Sequence, residues 1–109
     1  MPGKFELFQG KDKKHYFRLK ATNGETILSS QGYKSKASCL NGIESVRKNS
    51  NRDGAAETKK AKNGQTYFVI KAGNGQVVGT SERYKSTSAC SNGIKSVGKN
   101  APKAKVAEV

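Results

Sequence analysis

YFRLKATNGETILSSQGYKSKASCLNGIESVRKN, residues 16–49, returns as YFVIKAGNGQVVGTSERYKSTSACSNGIKSVGKN, residues 67–100. The two stretches align without a gap at an offset of 51 residues, and about half of their positions are identical. Tyr16/Tyr67, Asn23/Asn74, Gly24/Gly75, Tyr33/Tyr84, Cys39/Cys90 and Ile43/Ile94 are among the identical pairs. Self-similarity at a fixed period marks a repeat architecture and has to be read before anything else. The chain is therefore expected to form one pseudo-two-fold domain over residues 1–109, with repeat one at about 4–54 and repeat two at about 55–109.

Each copy reads as strands followed by a helix. Strand patterns cover residues 5–9, 15–21 and 25–29, then 66–72 and 76–81 in the second copy. Asn23-Gly24 and Asn74-Gly75 fall between the last two strands of each copy, where the pair supplies the positive φ angles of a tight hairpin turn. A helix follows, entered at Ser35 or Ser86, whose hydroxyl can accept a bond from an unsatisfied amide of the first turn. Cys39, Ile43 and Val46 then repeat as Cys90, Ile94 and Val97, at the spacing of a single apolar helical stripe.

The segment after the first helix has to do two jobs. At the same offset, RDGAAET from Arg52 aligns with KAKVAEV from Lys103. Residues 55–60 are thus expected to close repeat one and to open repeat two, a shared strand that ties the halves together. A single unit of this length leaves too much apolar surface wet to be stable alone. Pairing lets one sheet and two helices bury Phe5, Leu7, Phe17, Leu19, Ile43, Val46, Phe68, Ile70, Ile94 and Val97 together.

The doubled YFRLKA–NG–Y-K-S–NGI-S-V-KN pattern resembles the YegP-like family of small bacterial proteins, and the likeness covers nearly the whole chain. The resemblance implies a β-β-β-α-β unit, one continuous antiparallel sheet with exchanged C-terminal strands, and two helices. It brings no established activity, catalytic residue or cofactor. The chain departs from the pattern where AAETKK replaces the more apolar FELFQG at the opening of repeat two. The fold expected is α+β: two tandem repeats, one long antiparallel sheet, and both helices packed on one face.

Chemistry-bearing residues are sparse. The lone histidine, His15, has Thr66 as its counterpart and alternates onto the face of Phe17 and Leu19, where it caps the edge of the core. The eight carboxylates are scattered, without the paired spacing of general acid–base work. Two cysteines and one histidine cannot compose a four-ligand zinc site. No catalytic residue, metal or cofactor is expected. Cys39 and Cys90 read as small buried hydrophobes, with a disulfide between paired helices as the alternative. Gly42 and Gly93, inside the helices, read either as close approaches to a packed neighbour or as a ligand-contacting backbone.

Charge and alternation supply the functional expectation. Lys plus Arg number 21 against 8 Asp plus Glu, a net charge of +13 in a chain of 109 residues. That balance favours a polyanionic partner without bearing on the fold. The charge is spread over both halves, which suits salt-sensitive contact rather than sequence reading. Strand alternation sends Phe17, Leu19, Phe68 and Ile70 toward the helices and puts Tyr16, Arg18, Lys20, Tyr67 and Lys71 on the other face. Tyrosines among cations on an uncovered sheet are what a base-stacking, phosphate-neutralising platform requires. The expected partner is RNA or DNA bound without sequence preference; the alternative is a structural or protein-interaction module whose charge serves solubility. The opening MPGKFELFQGKDKK lacks a signal peptide's apolar core, and no apolar run is long enough to span a bilayer. A cytoplasmic monomer with an internal pseudo-dimer is expected.

Overall fold

The computed structural model describes residues 3–109. Three strands, β1 (Lys4–Gln9), β2 (His15–Lys20) and β3 (Thr26–Ser29), precede helix α1 (Lys36–Asn49). The second copy repeats them as β4 (Ala56–Lys60), β5 (Thr66–Lys71), β6 (Val77–Thr80) and α2 (Thr87–Asn100). A 3-10 turn over Ala101–Lys103 then leads into β7 (Lys105–Glu108). All seven strands form one sheet, in the order β4-β5-β6-β3-β2-β1-β7. The repeats meet at the centre, where β3 pairs with β6 through Ser29 and Thr80.

The shared strand is present: β4 follows α1 directly and lies against β5 in the sheet of repeat two, while β7 crosses back to the edge of repeat one. One expectation is corrected. The sheet is not antiparallel throughout, because β7 joins β1 in parallel, with Lys4 opposite Lys105 and Phe5 opposite Val106. The cause is the route of the chain. α2 runs back across the sheet, so the segment leaving it enters in the same direction as β1.

Both helices lie on one face. The stripes Cys39, Ile43, Val46 and Cys90, Val97 share a single buried cluster with Phe5, Leu7, Phe17, Leu19, Leu28, Phe68 and Ile70. Ile94 is only half-buried, whereas its counterpart Ile43 is fully buried, and Ala56 stands where repeat one has Phe5. The helices begin as expected: Ser35 accepts from the Ser38 amide and Ser86 from the Ala89 amide, both at 3.1 Å. Each such cap contributes about 1 kcal/mol.

The hairpin turns differ in detail from expectation. Only the glycines have positive φ, +85° at Gly24 and +86° at Gly75. The asparagines act through their side chains instead: Asn23 Oδ1 accepts from the Glu25 amide and Asn74 Oδ1 from the Gln76 amide, each at 3.0 Å. A third turn, Asn63-Gly64 between β4 and β5, is built in the same way. This chemistry holds the asparagine in ordinary backbone space and leaves the left-handed residue to glycine.

Gly42 and Gly93 are close approaches. A Cβ on Gly42 would lie 2.9 Å from Tyr33 Cζ, and one on Gly93 would lie 2.7 Å from Tyr84 Cζ. The two tyrosines stack on Phe17 and Phe68, each with ring centroids 6.3 Å apart. They wedge between helix and sheet, and burial raises the pKa of both hydroxyls. Cys39 and Cys90 are buried free thiols, and burial pushes Cys39 up to about 11.

Candidate functional site

Both helices cover the same side, so the other face of the sheet is left without a packed layer. Alternation along β1, β2, β4 and β5 brings Lys4, Glu6, Phe8, Tyr16, Arg18, Lys20, Glu57, Lys59, Tyr67 and Lys71 to that face. All five residues expected to form a platform are therefore on one surface. They are not free, however.

The cations are drawn into two carboxylate-centred clusters. Register places Glu6 opposite Arg18, and Arg18 Nε donates to Glu6 Oε1 at 2.6 Å. Lys20 Nζ stands 3.3 Å and Lys4 Nζ 3.5 Å from the same carboxylate. Glu6 is only 6% exposed, with three cations gathered on its carboxylate. Arg18, followed by Lys20, holds its carboxyl below the usual range, against the opposing effect of burial. In repeat two, Lys71 Nζ donates to Glu57 at 2.7 Å and Lys59 stands 3.2 Å away. Glu57 is shifted downward by the same chemistry, Lys71 first.

The aromatic faces are also occupied. Tyr16 stacks on Phe8 with ring centroids 5.7 Å apart, and its hydroxyl donates to Asp12 at 2.6 Å. That bond raises the tyrosine pKa and lowers the aspartate's. The Arg18 guanidinium lies 4.6 Å from the Phe8 centroid, and the Arg83 guanidinium lies 5.2 Å from the Tyr67 centroid. The result is a charged surface already organised by cation–π contacts and ion pairs.

His15 is half-buried, and its backbone exchanges two 2.8 Å hydrogen bonds with Tyr33. Among the described residues no group of three or more His, Cys, Asp or Glu could hold a metal ion. No helix is long and apolar enough to cross a membrane among those residues. What reasoning from sequence missed was the pairing. Glu6 alternates with Lys4 and Phe8, which was the available signal, but its meeting with Arg18 depends on the β1–β2 register.

Comparison with known proteins gives a consistent picture. The family model described as a domain of unknown function, DUF1508, matches residues 11–57 and again 61–108. A UPF0339 protein of Pseudomonas aeruginosa is 54% identical over 104 residues, covering 95% of this chain and 94% of that one. The UPF0339 protein YegP of Yersinia pestis is 50% identical over 98 residues, covering 90% and 88%. The solution NMR structure of yegP from E. coli, a protein of unknown function, superimposes with a TM-score of 0.94 at 44% identity, covering 99% of this chain and 93% of that one. The family model matches this chain twice in tandem, and the solved neighbour shares its α+β fold.

Proposed function

This chain belongs to the DUF1508 family, and we propose that it is a non-catalytic binding protein whose uncovered sheet face contacts the phosphates of RNA or DNA without reading sequence. The observation that carries the reading is the charge excess of that face: Lys4, Arg18, Lys20, Lys59 and Lys71 surround only Glu6 and Glu57. Each carboxylate orients more than one cation without neutralising the set, so the ammonium and guanidinium groups are held close to the sheet and remain net positive. Such fixed positive charge draws phosphate backbones and releases their counterions.

The tyrosines contribute less than an unoccupied platform would. Tyr16 is packed against Phe8 and Tyr67 lies against Arg83, so base stacking has to compete with contacts already made. Charge therefore carries the binding, and affinity for single strands and duplexes should be similar.

The test is fluorescence anisotropy with single-stranded RNA, duplex RNA and duplex DNA at low and moderate salt. Binding in the range of about 1–100 μM that weakens log-linearly with salt is expected. The triple variant Arg18→Gln/Lys20→Gln/Lys71→Gln should weaken all three ligands and flatten the salt slope by about one for each phosphate no longer neutralised. Absence of binding below about 100 μM at low salt, the weak end of ordinary non-specific affinity, would remove this reading in favour of a protein-interaction module. The outer edge of β4, which pairs with no strand among the described residues, is the observation that favours that second reading.

A further inference from the structure

Each helix ends beside the hairpin turn of the other repeat, α1 near Lys71 and α2 near Ala21, Thr22 and Asn23, and the two crevices formed there have diverged. In repeat one, Arg52 closes the crevice: its Nε donates to Asn49 Oδ1 at 2.8 Å and its Nη2 to the Lys71 carbonyl at 3.1 Å. Glu44 also stands on that helix face, paired with Arg47. In repeat two the position of Arg52 is Lys103 and that of Glu44 is Lys95. Lys103 makes no such strap among the described residues, and a cleft of about 760 Å³ remains beside α2.

Lys95, Lys99 and Lys103 line that cleft, together with Asn23, Asn92 and Ser96. No carboxylate and no aromatic ring is among its described lining residues. Spaced four residues apart, the lysines follow one another along one side of α2 and its 3-10 extension, roughly 6 Å per step at helical rise. Lysine at a helix C-terminus is ordinarily explained by the macrodipole, but the partial charge there is only about half an elementary charge. Three ammonium groups exceed what it needs. Lysine is also a mobile point charge on a flexible stem, suited to gathering round phosphate oxygens rather than to planar recognition.

We propose that this cleft is a binding site for a linear phosphate chain, separate from the uncovered sheet face. The chain itself is what is recognised. Without an aromatic surface, the cleft offers a nucleoside nothing to stack on, so an inorganic oligophosphate and a nucleoside triphosphate bind alike. A single phosphate engages too few of the three cations, and a compact tricarboxylate cannot follow their line.

Isothermal titration of the full chain with sodium tripolyphosphate, ATP, AMP and citrate at low salt tests the assignment. Tripolyphosphate and ATP should agree within about threefold, with AMP and citrate at least about tenfold weaker, as expected when the number of cations engaged sets the electrostatic contribution. Lys95→Gln/Lys99→Gln/Lys103→Gln should lose about tenfold or more for tripolyphosphate. Lys11→Gln/Lys13→Gln/Lys62→Gln, three exposed turn lysines outside both surfaces and the same change in net charge, should leave it unchanged. Equal loss in both triple variants, equal affinity for citrate, or no binding of tripolyphosphate by the wild type below about 1 mM would overturn the site. Amide chemical-shift mapping on the wild-type protein gives a reading independent of any variant. Shifts at Asn23, Asn92 and Ser96 support the cleft, and shifts confined to β1, β2 and β5 refute it.

Discussion

Leu28 and Gly79 hold the same position in the two repeats and meet across the β3–β6 seam: a Cβ on Gly79 would lie 2.5 Å from Leu28 Cδ2 and 2.7 Å from its Cγ. Two leucines cannot both occupy the pseudo-two-fold centre, and the fused chain solves this with one large and one absent side chain. Gly79→Ala should cost about 1–3 kcal/mol, the range for overpacking a filled core. Leu28→Gly alone should cost more, through the cavity it leaves. The swap Leu28→Gly/Gly79→Leu should recover much of that loss, which urea titration of the four proteins measures as a coupling energy. A swap no more stable than Leu28→Gly would show that the seam does not act as one shared volume.

Gly42→Ala and Gly93→Ala should destabilise although alanine favours helix by about 1 kcal/mol. Tyr33 and Tyr84 occupy the space that each new methyl group needs, and their rings are backed by Phe17 and Phe68. Overpacking outweighs propensity, for a net loss of about 1–2 kcal/mol. Thermal melts decide it, and a raised Tm in either variant would contradict the close packing.

Glu6 makes stability depend on acid. Its folded pKa is depressed, chiefly by the Arg18 bond, so its contribution is complete above the unfolded glutamate value near 4.3. That contribution is lost as pH falls through the lower folded value. Glu6→Gln should cost about 1 kcal/mol at pH 7, as for a well-placed surface pair, and should flatten the stability curve below about pH 4.5. Parallel urea titrations between pH 3 and 7 measure this, and identical slopes for both proteins would remove Glu6 as a source of acid sensitivity.

A chain ending at Asn49 should be unfolded as a monomer or fold only as a dimer. Its helix packs on β5 and β6 as well as β2, and Arg47, beside Phe5, reaches the Ala104 carbonyl. Removing residues 105–109 should be milder, because β7 is mostly exposed and contributes chiefly backbone bonds to β1. Net bond energies of about 0.5–1.5 kcal/mol each put that loss at a few kcal/mol. Circular dichroism and sedimentation distinguish the cases, and a stable folded monomer of residues 1–49 would refute the shared core.

The repeat, the strand and helix periods and the capping serines were all legible, because each depends on neighbours close in sequence. The parallel pairing of β7 was not, since it depends on where α2 delivers the chain. The same distinction holds at the surface. Alternation correctly put Tyr16, Arg18, Lys20, Tyr67 and Lys71 on one face, whereas the pairing of Arg18 with Glu6 rests on a register set by the turn between β1 and β2. The lysine-lined cleft was hidden for another reason. Its signal is a difference between the copies, Glu44 against Lys95 and Arg52 against Lys103, while a repeat is recognised by what its copies share.

The parallel pairing of Lys4 with Lys105 sets a timetable. β1 gains its outer neighbour only from residues 105–108, made about a hundred positions later. At about 5–20 residues per second, that edge waits roughly 5–20 s during synthesis with its amides and carbonyls unclaimed. For that interval the nascent chain carries an open template for a neighbouring chain on the same message. The charged residues Lys4 and Glu6 along β1 are the protection it has while it waits.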